Sequence, residues 1–187
     1  WFFNTAKALK MNVPCDYTLT VPLILSAYRN VLNQNQAIFG LPSVAGWPAY
    51  YQEPAYHEIW INSVTYPLRY TLGTTLINKR FGFRLNGQGN QIYGADVTEY
   101  ASEFDNPQDA NILISDVVAH LLPQPIQQAQ LDFLKSKLLT NMTEAAWTNL
   151  WNTYKNDPTN TQVKTNVENR LRSFLIALTS MPEYHLS

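Results

Sequence analysis

Residues 143–182, TEAAWTNLWNTYKNDPTNTQVKTNVENRLRSFLIALTSMP, decide the fold class. Trp147, Leu150, Trp151 and Tyr154 recur at i, i+3, i+4 and i+7, the spacing that places side chains on one face of an α-helix. Thr143 followed by Glu144 supplies an N-cap and a first-turn acid. Beyond Pro158 the pattern resumes: Val163, Val167, Leu171, Phe174, Leu175 and Leu178 share one face, and Met181-Pro182 ends the helix. Two amphipathic helices in succession must bury their apolar faces against each other or against further helices, which predicts a helical bundle. The tryptophan stripe reads as core rather than as a row of ligand contacts.

Upstream, the same signals recur. Asn106-Pro107 with Asp109 predicts an N-cap, an N1 proline and a first-turn acid for a helix running to Leu122. Pro123 and Pro125 close that helix and open another from Ile126 to Leu139. Asn62 or Ser63 is suited to cap a helix reaching about Lys79, with Pro67 tolerated in its first turn. Asp16 or Thr18 caps an earlier helix to Leu32 or Gln36, on which Ile24, Leu25, Tyr28, Val31 and Leu32 share one face. Phe2, Phe3, Ala6 and Leu9 mark a first helix ending near Met11, and the apolar cluster Trp1, Phe2 and Phe3 is expected to be covered. Residues 82–94, GFRLNGQGNQIYG, read as a polar, glycine-rich surface loop; the glycines do not form G-x-G-x-x-G, so a phosphate loop is not expected. The expected fold is all-α: an irregular bundle of about seven helices with one long aromatic-rich loop, in a single domain over residues 1–187.

Composition narrows the function classes. A chain of 187 residues can bury roughly 70% of its unfolded surface without help from a metal or a disulfide. Charged residues make up only 14%, and the net charge is −1 with thirteen scattered Lys and Arg, so nucleic acid is not expected as a partner. Between Arg84 and Lys135 there is no Lys or Arg, while Asp96, Glu99, Glu103, Asp105, Asp109, Asp116 and Asp132 are acidic. No D-x-D-x-D-G loop is present, so this stretch reads as a solvated face rather than a calcium site. Cys15 is the only cysteine and reads as a small buried thiol. The longest apolar run, Val21 to Leu32, is interrupted by Ser26, Tyr28, Arg29 and Asn30, so no transmembrane segment is expected.

Chemistry is sparse. His57, His120 and His185 stand far apart and form no H-E-x-x-H pair, so no metal and no cofactor are expected, and neither G-x-S-x-G nor a Walker sequence occurs. The densest unusual feature is residues 46–69, GWPAYYQEPAYHEIWINSVTYPLR, within a run too rich in Gly and Pro for a regular element. Its candidate binding residues are Trp47, Tyr50, Tyr51, Glu53, Tyr56, His57, Glu58 and Trp60. Large rings with polar tips suit a packed plug, or a platform that stacks on sugars or on a partner protein. Glu53, His57 or Glu58 could serve as acid or base in a glycosidase, which needs two carboxylates roughly 5 to 9.5 Å apart.

The run Pro42-Ser43-Val44-Ala45-Gly46-Trp47-Pro48, followed by Trp60-Ile61-Asn62-Ser63, resembles the late motif of the bacterial family known as domain of unknown function 1800. In that family P-x-x-x-G-W-P precedes W-[IL]-x-[ST] and a helix. Ala49-Tyr50 replaces the commoner Gly-Gly here, as in Bacteroidetes-type members, and the spacer to Trp60 is longer. Met181-Pro182-Glu183-Tyr184-His185 is similar to the family's close, and residues 1–11 to its preceding helix. The resemblance implies the C-terminal part of a longer periplasmic or secreted protein, with a possible secreted protein partner and no assigned catalytic residue. The expected function is a noncatalytic binding or scaffold domain; the alternative is an enzyme or carbohydrate-binding module acting on an envelope or extracellular polymer.

Overall fold

The computed structural model describes residues 2–36, 40, 61–85 and 89–185. Among them the chain forms α1 (Phe2–Ala8), α2 (Tyr17–Asn33), α3 (Thr65–Ile77), a hairpin of β1 (Phe81–Leu85) and β2 (Gly89–Tyr93), α4 (Val97–Ala101), α5 (Ala110–Leu121), α6 (Gln128–Leu138), α7 (Glu144–Asn156), α8 (Thr161–Thr179) and α9 (Pro182–His185). The fold is predominantly helical, as the periodicities require.

α8 is the hub, packing against α3, α4, α6, α7 and α9. Its Val167, Leu171, Phe174, Leu175 and Leu178 are all buried on one stripe, so their transfer from water contributes on the order of 10 kcal/mol before conformational entropy is subtracted. Asn160 caps the helix by accepting from the Val163 N–H at 3.2 Å. On α7, Thr143 Oγ1 accepts from the Ala146 N–H, and Trp147 and Trp151 are buried with ring centroids 5.7 Å apart. Trp147 Nε1 donates to the Pro107 carbonyl at 3.0 Å, and Thr148 Oγ1 donates to the Gln108 carbonyl at 2.9 Å. These two bonds tie α7 to the turn that starts α5. That turn places the cap three residues later than Asn106: Asp109 itself accepts from the Asn111 and Ile112 N–H groups, which leaves the Pro107 carbonyl for Trp147.

A second, smaller core holds the N-terminal third. Phe2, Leu23, Ala27, Val31, Leu72, Leu76 and Phe81 pack together, with the Phe2 and Phe81 rings 5.3 Å apart. Phe2 is thus covered as expected, Phe3 is exposed, and Trp1 lies outside the described residues. Asn62 Oδ1 accepts from the Val64 and Thr65 N–H groups at 2.9 Å each, while Thr65 Oγ1 accepts from the Asn62 N–H, so Asn62 caps α3 from both directions.

Three further expectations are corrected. Residues 82–94 do not form only a loop: β1 and β2 pair antiparallel, Phe81 opposite Tyr93 and Phe83 opposite Gln91. A Cβ on Gly82 would lie 2.0 Å from the Gln91 carbonyl oxygen, and one on Gly94 would lie 2.4 Å from that of Leu76, so both glycines are needed for close approach. On α2 the buried residues are Leu23, Ala27 and Val31, and of the expected face only Val31 belongs to them. Cys15 is exposed, not buried.

Candidate functional site

The sequence-derived candidates Trp47, Tyr50, Tyr51, Glu53, Tyr56, His57, Glu58 and Trp60 lie outside the described residues, as does Gly46. Among the described residues, polar chemistry gathers where α3 begins and the chain ends. Arg69 and His185 are both buried, and Arg69 Nη1 donates to the His185 carbonyl at 3.5 Å. The Tyr66 ring lies 4.8 Å from the His185 imidazole, and its hydroxyl donates to the Ser180 carbonyl at 2.7 Å. Tyr184 OH and Thr5 Oγ1 share a hydrogen bond of 2.7 Å, which brings α1 into the same cluster.

Burial controls the protonation states here. His185 is pushed down to about 4, first by desolvation and then by the positive charge of Arg69, with a hydrogen bond to the Thr179 backbone opposing. Desolvation lowers the Arg69 pKa, and it raises that of the Tyr184 phenol against the opposing bond to Thr5. At neutral pH the imidazole and phenol are neutral beside a buried guanidinium. With Thr5, Arg69, Tyr184 and His185 buried and Tyr66 half-buried, the cluster works as a cross-tie between α1, α3 and α9.

His120, weighed as a packed or half-exposed side chain, is exposed beside the Tyr100 and Phe104 rings. Four of the seven acids of the basic-poor stretch are occupied individually. Asp96 and Asp109 cap α4 and α5, Glu103 pairs with Lys10, and Asp132 accepts from Gln128 Nε2. Among the described residues no group of three or more His, Cys, Asp or Glu is placed to hold a metal ion, and no helix is long and apolar enough to cross a membrane.

The most unusual surface is on α2, whose apolar residues form two stripes. Leu23, Ala27 and Val31 face the core. Tyr17, Val21, Ile24, Leu25, Tyr28 and Leu32, which follow the same i, i+4, i+7 logic, form a second stripe, in which Ile24 and Leu25 are each 50% exposed, Leu32 40% and Tyr17 more so, while Val21 and Tyr28 are half-buried. Arg29, the only charged residue of α2, borders this stripe as the i+4 neighbour of Leu25. At 1.5 Å per residue the stripe is about 22 Å long. Sequence periodicity found part of it; which of two apolar faces turns inward depends on Leu72, Leu76 and Phe81, distant in sequence. No family model matches the chain, and no curated protein or solved structure matches it.

Proposed function

We propose that this chain is a noncatalytic binding or scaffold domain of an extracytoplasmic bacterial protein, the C-terminal part of a longer chain of the domain of unknown function 1800 family that it resembles. The observation that carries the reading is the outward stripe of α2. An exposed apolar row some four turns long is a docking surface rather than ordinary scattered surface hydrophobics. Its mixture of tyrosine and branched aliphatics, with charge only at the border, has the make-up of an interface centre. The occupant that fits is an apolar helix of a second protein with an acidic residue at its flank to meet Arg29, a helix-against-helix mode of recognition.

The placement in a secreted or periplasmic protein rests on the sequence motifs at Pro42–Pro48 and Met181–His185. The reading is tested by Ile24→Glu combined with Leu32→Glu in the protein produced by its own bacterium. Both sites are exposed, so the thermal midpoint should stay close to wild type, while the protein elutes without its partner in size-exclusion chromatography. An unchanged elution position, or a midpoint lowered by several degrees, contradicts it: the first denies docking, the second shows that the stripe is core.

A further inference from the structure

On the other side of α2, that helix, α3 and β1 enclose a groove of about 250 Å³. Three carboxamides, Asn30, Asn33 and Gln34, line it from the last turn of α2, facing Thr71 of α3 and Arg80 at the start of the hairpin. Leu72 and Phe81, both buried, supply apolar surface. Among the described residues no carboxylate lines the groove, and Arg80 carries the only charge.

One of these groups is out of balance. Gln34 is 1% exposed, yet its Oε1 accepts no hydrogen bond. A buried carbonyl oxygen without a donor is costly, and an apolar side chain of the same shape would avoid that cost, so its presence calls for a reason. Asn30 Nδ2 donates to the Ser26 carbonyl at 2.8 Å, which fixes that amide on its own helix and leaves its oxygen as an acceptor. A carboxamide offers a donor and an acceptor together, and so does each hydroxyl of a sugar.

We propose that this groove binds a saccharide ring, its hydroxyls exchanging hydrogen bonds with Asn30, Asn33 and Gln34 and its C–H face lying on the Leu72–Phe81 floor. Arg80 favours a ring that carries a carboxylate over a neutral one. A peptide main chain fits less well, because it would pair along the side of β1 away from β2, where Ser26 Oγ already donates to the Gly82 carbonyl at 3.4 Å. The site is separate from the outward stripe of α2 and does not rest on its reading.

Nitrogen-15 labelled protein is titrated separately with glucose, N-acetylglucosamine, glucuronate and triglycine, following side-chain amide and backbone signals. Saturable shifts at millimolar sugar are expected at the Asn30, Asn33 and Gln34 amides and around Gly82, largest with glucuronate. Asn33→Ala should weaken binding about tenfold at an unchanged thermal midpoint. Gln34→Met separates a binding role from a structural one: it should keep or raise the midpoint while abolishing the sugar-induced shifts. No saturable shift with any of the three sugars, shifts untouched by either variant, or shifts with triglycine alone would each overturn the assignment.

Discussion

Removing the Trp147 side chain should be the most damaging single change in the described part of the molecule. The ring is fully buried between α7, α8 and the start of α5, and its Nε1 holds the Pro107 carbonyl at 3.0 Å. Truncation of a buried tryptophan to alanine costs about 3–5 kcal/mol through lost transfer energy and the residual cavity. Leaving the Pro107 carbonyl unpaired adds about 1–3 kcal/mol. Trp147→Ala should therefore destabilise by about 4–8 kcal/mol, comparable to the whole stability of a typical domain, and leave the chain partly unfolded at room temperature. Trp147→Phe keeps most of the apolar contact and loses the bond, so about 1–3 kcal/mol is expected. Urea unfolding monitored by circular dichroism measures both. A Trp147→Ala cost under about 1 kcal/mol, or equal costs for Phe and Ala, would refute the packing and hydrogen-bond account of the α5–α7 junction.

Protonation of His185 should destabilise the fold: its folded value of about 4 lies below the ordinary 6.5, so the unfolded state binds more protons between those values. Stability should fall by about 3 kcal/mol as pH drops from 6.5 to 4 from this residue alone, and His185→Phe should show a shallower loss over that window; an identical slope would refute it. Lys79 closes α3 in the left-handed region, at φ 55°, with the Arg80 N–H bonded to the Thr75 carbonyl. Lys79→Gly should raise stability by about 0.5–1 kcal/mol despite losing an exposed ion pair with Asp96, and a lowered midpoint would contradict the strain argument. Gly94→Ala should have the opposite effect, because its Cβ would collide with the Leu76 carbonyl oxygen and the Lys79 Cα; wild-type thermal unfolding would show that the α3–β2 junction can give way.

The C-terminal half was legible because its signals are local and mutually consistent. The cap at Thr143, the tryptophan spacing of α7 and the apolar stripe of α8 lie within single helices, and each is found where periodicity puts it. Long-range choices were not. Phe81, Phe83 and Leu85 alternate, but the surrounding glycines concealed the signal. The ends of α1, α2 and α3 carry Lys10, Asn35 and Lys79 at positive φ, where a reader looks for glycine. Arg69 went unnoticed because a single basic residue in an aromatic stretch gives no sign that His185, over a hundred positions away, will be packed against it.

The claim at the centre of this account is that the outward stripe of α2 holds a second protein. A photo-crosslinking amino acid at Leu25, introduced in the source organism, tests it most directly, with exposed Thr165 of α8 as the control position. The account predicts one discrete heterologous adduct from position 25, absent from position 165 and abolished by Ile24→Glu with Leu32→Glu. No adduct, an adduct only with a second copy of the same chain, or equal yield from both positions would contradict it.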